Sequence, residues 1–241
     1  MIPLPTEPPQ ILFQDDDLLV LFKPSHMHVH PPEDHIVRKA IARHTCIHWL
    51  SDVHQILANP VHRLDSATEG LLLFTKNTKT NSILNIQMQQ KQIQKFYEAV
   101  VRGWLKESYG EINLQLELDT TKTLVDCKTL YSTLAKIELP YTVGTKFKTT
   151  RYSLLDVELK TGRWHQIRRH MNHIDHPVVG DGKHGDSRHN VFFRETLGIE
   201  GLCLKAKRLE FYHPYTDQKM IFYAPLTEKW KKINQLFSNP I

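Results

Sequence analysis

Two apolar runs dominate the pattern of the first third of the chain, Leu18-Leu19-Val20-Leu21-Phe22 and Leu71-Leu72-Leu73-Phe74, and both are continuous rather than alternating. Short continuous runs suit strands covered on both faces, because neither side then needs to meet water. The first run follows Ile11-Leu12-Phe13 across the turn-like Asp15-Asp16-Asp17, so residues 11–23 read as two short strands ended by Lys23-Pro24. Helical spacing is found near Ile36 to Trp49, and Thr78 to Gln90 is rich in helix formers behind a candidate cap at Asn77. Further strands are expected near 95–102, 111–118 and 151–159. A last helix, about 226–237, would place Leu226, Trp230, Ile233 and Phe237 on one face. Strands interrupted irregularly by helices predict an α+β fold rather than a regular βαβ alternation.

The segment from Trp164 to Ile174 also has helical period. At ~100° per residue, Trp164, Ile167, Met171 and Ile174 form one apolar stripe, while Gln166, Arg169, His170 and His173 lie across the opposite side. Arg168 falls at the margin of the stripe. Its stem can lie along the core with the guanidinium in a partly dry setting, whereas Arg169 should face water or phosphate.

Charge adds a partner class to this picture. The chain has 241 residues, enough for one substantial core or two subdomains sharing one, and its 31 Lys+Arg against 26 Asp+Glu give a net charge of +5. The excess is concentrated: from Lys160 to Arg188 there are six Lys or Arg and five His against Asp175, Asp181 and Asp186. Such a stretch favours a polyanion. Cys46, Cys127 and Cys203 are too few and too scattered for a disulfide framework or a thiolate zinc site, which points to a reduced, cytoplasmic setting. No apolar run approaches the ~20 residues of a membrane span, and Met1-Ile2-Pro3-Leu4-Pro5 lacks the features of a signal peptide.

Candidate chemistry centres on His62-Arg63-Leu64-Asp65-Ser66-Ala67-Thr68-Glu69-Gly70, directly before the second apolar run. In an extended segment Arg63 and Asp65 would project to one face and Leu64 to the other, with Ser66 to Gly70 forming a turn. Spacing alone is equally met by an Arg–Asp ion pair closing a strand, the commoner outcome for such pairs.

His62-Arg63-Leu64-Asp65, followed by Thr68, Gly70 and an apolar strand, resembles the catalytic motif of pseudouridine synthases of the RluA family. Lys95-Phe96-Tyr97 is similar to the Lys-x-Tyr strand of that family, and Thr161-Gly162-Arg163-Trp164-His165-Gln166-Ile167-Arg168 to its Gly-Arg-x-His-Gln-Leu-Arg segment. His176 to Asp186 resembles the continuation. Glu69 stands where relatives usually have Ser, and Lys205 where they commonly have His. The resemblance implies a long, mixed and mainly antiparallel sheet in two subdomains flanking a central active-site cleft. It further implies that residues 1–241 form a single catalytic domain without a separate N-terminal RNA-binding domain, since Ile11 already begins the sheet.

Three catalytic residues are implied by that resemblance: Asp65 as the essential carboxylate, Tyr97 beside the base, and Arg168 as the cation that pairs with Asp65. Arg63 is the expected wedge or phosphate contact at an extruded uridine, since a stacked base is out of reach. His62, Arg163, His165, Arg169 and Lys183 complete the expected substrate-binding set. Making pseudouridine breaks the bond from ribose C1′ to uracil N1, rotates the base and joins C1′ to C5. There is no net oxidation or group transfer, so neither a metal nor a redox cofactor is expected. Val101-Arg102-Gly103-Trp104, and Lys183-His184-Gly185-Asp186 followed by Arg188 and Asn190, narrow the resemblance to members acting on uridine 65 of tRNA. An rRNA target and a catalytically silent RNA-binding protein of the same fold are the alternatives, and no obligatory protein partner is implied. A metal-dependent hydrolase built on His165, His170 and His173 is disfavoured, because His165 and His173 diverge by about 80° on the helix and the segment has no Glu.

Overall fold

The two continuous apolar runs become neighbouring strands. In the computed structural model, which describes residues 4–5, 7–31, 41, 44–118, 121–144 and 147–238, the chain begins with β1 (Gln10–Gln14), β2 (Leu18–Lys23), α1 (Cys46–His54), β3 (Asn59–Pro60), β4 (Glu69–Thr75) and α2 (Thr78–Gln89). It continues through β5 (Gln94–Arg102), β6 (Tyr109–Glu117), β7 (Leu124–Leu139), β8 (Thr150–Leu159), α3 (Gln166–His173) and α4 (Ser187–Glu195). It closes with β9 (Leu204–Tyr212), β10 (Lys219–Tyr223) and α5 (Glu228–Ser238). The class is α+β, as the pattern predicts.

The chain divides into two compact units, residues 1–95 with 206–224 and residues 96–205 with 225–241. In the first, β2 runs antiparallel to both β1 and β4, in a register from Leu18 opposite Thr75 to Lys23 opposite Gly70. Alternation splits the apolar runs between two cores. Leu18, Val20, Leu71 and Leu73 pack with Leu84 of α2 on one face, while Leu19, Leu21, Leu72 and Phe74 pack with Cys46 and Leu50 of α1 on the other. Every residue of β2 and β4 is consequently buried. The Asp15 carboxylate accepts from the backbone N–H of Asp17 and Leu18, each at 2.8 Å, which turns the chain from β1 into β2.

The second unit is built on an antiparallel ladder in which β8 lies between β5 and β7, and β7 between β8 and β6. Val100, Ile137, Tyr152 and Leu154 from these strands pack with Phe192 and Phe193 of α4 and with Trp230, Ile233 and Phe237 of α5.

Several boundaries differ from the expectation. The helix read near 36–49 is observed as Cys46–His54, capped by Thr45 accepting from the His48 N–H, and residues 36–40 and 42–43 of that reading lie outside the described residues. Asn77 does cap α2, accepting from the Thr80 N–H at 2.9 Å. Leu226 precedes α5 and is 51% exposed, so only Trp230, Ile233 and Phe237 form the buried face of the last helix. The 16-residue β7 and the helix α4 have no counterpart in the sequence reading. Along β7, polar and charged residues occupy so many positions that neither strand nor helix period stands out.

Candidate active site

Asp65 sits in a tight turn rather than in a strand. The Thr68 N–H donates to the Asp65 carbonyl at 3.1 Å, and residues 61–65 lie between β3 and β4, outside any regular element. The turn is shorter than expected, because Glu69 and Gly70 already belong to β4. Leu64 packs with the core cluster of Leu19, Leu21 and Leu72, while Arg63 is exposed and Asp65 half-buried, so the expected division between Leu64 and its neighbours holds without a strand.

What holds this turn is a lysine that pattern reading treated only as a strand end. Lys23 is fully buried, and its ammonium donates to the carbonyls of Pro24 and Met27 at 2.9 Å and of Ser66 at 3.0 Å. Those three acceptors match the three protons of an ammonium. The residue after Asp65 is thereby tied to the end of β2. Gly70 closes the arrangement from the other side: its φ is +132°, and a Cβ there would lie 2.4 Å from the Ala206 carbonyl oxygen. Only glycine fits that backbone and that approach. His62 accepts weakly from the Leu73 N–H through Nε2 at 3.4 Å, and burial pushes its pKa down to about 3, so its ring is neutral and part of the scaffold.

In the second unit, Tyr97 lies on β5 opposite Val157 and is buried, with 5% exposure. Arg168 on α3 is buried as well and forms a two-pronged ion pair with Asp181, Nε to Oδ2 and Nη2 to Oδ1, both at 2.7 Å. Burial alone would raise the Asp181 pKa, but the Arg168 guanidinium and the backbone N–H groups of His184 and Lys183 outweigh it and hold the carboxyl below its usual range. A paired fork of this kind fixes the guanidinium plane. Asp181 is thus the carboxylate that orients Arg168, a partner that the sequence reading placed only within a basic span and the stretch resembling the family continuation.

The projected faces of α3 need correction. Ile167 and Met171 are buried as expected, but so are Gln166 and His170, which the projection placed on the polar side. Gln166 is buried because its amide is satisfied. Its Oε1 accepts from Thr161 Oγ1 at 2.9 Å and from the Arg163 N–H at 3.1 Å, while Nε2 donates to the Lys128 carbonyl and Thr129 Oγ1 on β7. Arg169 donates to the Glu117 carbonyl at 3.1 Å instead of standing clear in water. Arg163 is exposed. His165, in a left-handed conformation with φ 52°, stacks on Trp164 at 3.8 Å between centroids, and its Nδ1 lies 2.9 Å from His184 Nε2. Burial first, then the charge of Arg168, pushes its pKa down to about 3. Lys183 extends its ammonium over the Trp164 ring at 4.1 Å.

Histidines 165, 170 and 173 have different fates: His165 faces His184, His170 is fully buried and His173 is exposed. Among the described residues, no group of three or more His, Cys, Asp or Glu is arranged to hold a metal ion. Lys205, at the position where relatives commonly have His, is buried, pairs with Glu98 at 3.0 Å and lies over the Trp230 ring at 4.3 Å. Its charge is therefore met within the second unit. No described helix is long and apolar enough to cross a membrane.

Comparison with known proteins identifies the family and the fold. Residues 17–173 match the family model described as RNA pseudouridylate synthase. The chain is 37% identical over 244 residues to tRNA pseudouridine synthase C of Vibrio vulnificus (strain CMCP6), covering 96% of both chains. It is 38% identical over 234 residues to the protein of the same name from Vibrio cholerae serotype O1, covering 92% of this chain and 93% of the relative. Among solved structures, human RNA pseudouridylate synthase domain containing 1 shares the fold, with a TM-score of 0.71 at 20% identity over 100% of this chain and 99% of that one. The chain belongs to the RNA pseudouridylate synthase family, isomerases that convert uridine to pseudouridine within RNA.

Proposed function

We propose that this chain acts on tRNA, at uridine 65, in the cytoplasm, and that residues 1–241 work as one catalytic domain. Asp65 is the catalytic carboxylate, which begins cleavage of the bond between C1′ and N1. Tyr97 serves beside the detached base, and Arg168 supplies the fixed positive charge that favours the ionised acid. Arg63 braces the extruded nucleotide, and His62, Arg163, His165, Arg169 and Lys183 form the surrounding substrate-binding set, in which the neutral ring of His62 acts by contact and hydrogen bonding rather than by charge. The proton lost from C5 is balanced by one gained at N1, so the reaction closes without a second substrate.

The observation that carries this reading is the full-length match to proteins named tRNA pseudouridine synthase C, with the Asp65, Tyr97 and Arg168 motifs in order. The three cysteines, all buried and none in a disulfide, agree with a reducing compartment.

Incubation with unmodified tRNA and rRNA transcripts, followed by mapping of pseudouridine, tests the proposal. Product at position 65 of tRNA is expected, and it should be absent with Asp65→Asn while RNA affinity stays within about threefold, since the substitution is nearly isosteric and removes only the reacting charge. Normal turnover by Asp65→Asn would refute the role of the acid. Product in rRNA alone would refute the tRNA assignment.

A further inference from the structure

The two stretches that narrowed the resemblance meet in space. Arg102 donates to Asp186 Oδ2 at 2.7 Å although 84 residues separate them, and Arg188 clasps the same carboxylate through Nε at 3.1 Å and Nη2 at 2.9 Å. Arg188 first, then Arg102 against the opposing effect of burial, holds the Asp186 carboxyl well below its usual range. Next to them the Arg151 guanidinium lies over the Trp104 ring at 4.3 Å, with its Nε 3.2 Å from Glu138. Three guanidiniums thus face two carboxylates, which leaves one positive charge in excess.

These arginines line a cavity of about 520 Å³ together with Phe147, Thr149 and His189. Two of its lining residues, His189 and Thr150, are joined through a hydrogen-bonded tyrosine. His189 Nδ1 is 2.8 Å from the Tyr152 hydroxyl, which accepts from Thr150 Oγ1 at 3.2 Å. The volume falls inside the roughly 300–1,000 Å³ of small-ligand sites. Phe147, 65% exposed, is the aromatic residue among the lining. Converging guanidiniums with a ring nearby suit a phosphate joined to a base, the pairing that single-stranded nucleic acid presents.

We infer that this cavity takes one nucleotide of the RNA substrate other than the uridine that is isomerised, with its phosphate on Arg188 and Arg102 and its base against Phe147. The inference rests on RNA being the substrate, and it assigns the residues peculiar to these two stretches to substrate selection. An acidic peptide would use the arginines but gain nothing specific from the ring.

The test measures binding of an unmodified tRNA transcript to the full chain carrying Asp65→Asn, so that turnover plays no part. Adding Arg188→Ala should lower affinity about tenfold and reduce the slope of log affinity against log salt by about one, as expected for one lost phosphate contact. Adding Phe147→Ala should lower affinity at least about fivefold with the slope unchanged. Arg188 and Phe147 are both exposed, and Arg151→Ala, read in the same way, guards against a local folding defect at either. Unchanged affinity in Arg188→Ala and Arg151→Ala would overturn the inference, as would a loss in Arg188→Ala with no change of slope. No effect of Phe147→Ala would overturn the nucleotide in favour of a plain anion or an acidic peptide. If these variants behave as expected while the wild-type chain makes no pseudouridine, the isomerase assignment fails and the cavity stands. A chain with no affinity for RNA would sink both.

Discussion

Asp65 is the acid of the proposed mechanism, but its position depends on residues with no part in that chemistry. Lys23 holds three carbonyls around the Asp65 turn, and a neutral side chain of similar length would leave those acceptors buried without their donor. Each orphaned buried group costs about 1–3 kcal/mol, so Lys23→Met should destabilise the chain by roughly 3 kcal/mol or more, read as a lower urea midpoint. A midpoint equal to wild type would show that the ammonium is not needed. Gly70→Ala should be at least as damaging, because the methyl meets the Ala206 backbone at 2.4 Å and the backbone angle is one that alanine resists. The turn at Asp65 was legible from its own neighbours in sequence. Lys23 and Asp181 were not, since what matters in each is burial and a partner that folding brings near, Ser66 for the lysine and Arg168 for the acid.

Among the elements, β2 and β4 were readable because continuous apolar runs have one common use, burial on both faces. The helix α3 was readable in place but not in orientation: Gln166 and His170 look polar in sequence, yet both are buried once β6 and β7 provide surroundings. That burial has a pH signature. Burial, reinforced by the charges of Arg169 and His173, lowers the His170 pKa to about 4, and His62 and His165 are lowered to about 3. In the unfolded chain the same imidazoles titrate near 6.5, so as pH falls below that value the unfolded state takes up protons first and stability declines. The loss continues until the folded pKa values are reached. Above pH 6.5 both states are neutral and the effect vanishes. His170→Phe removes one such site, and unfolding curves between about pH 6.5 and 4 should show stability falling less steeply, by up to about 1 kcal/mol per pH unit. Any repacking cost shifts the whole curve without changing its slope. An acid limb parallel to wild type would mean that His170 does not titrate in this way.

At the scale of the whole molecule, the net charge of +5 is small for a chain that grips a polyanion, and its distribution matters more than its sum. Aspartate and glutamate nearly balance lysine and arginine overall, while the span from Lys160 to Arg188 is strongly basic. The structure offsets part of that excess internally: Arg168 pairs with Asp181, and the Asp186 carboxylate neutralises part of the charge that Arg188 and Arg102 carry. Composition therefore indicated a polyanionic partner correctly but overstated how many cations remain for it, because internal pairing cannot be read from a count. If about four or five phosphates are contacted, each contributes roughly 0.9 to the slope of log affinity against log salt. Raising monovalent salt from 50 to 200 mM should then weaken tRNA binding by roughly 10²- to 10³-fold. The rate at saturating tRNA should barely change, since the isomerisation takes place within one bound nucleotide and brings no second charged substrate into the step. A near-zero salt slope would show that the basic span faces something other than RNA backbone, and a saturated rate that fell in step with affinity would show that salt disturbs the isomerisation step itself.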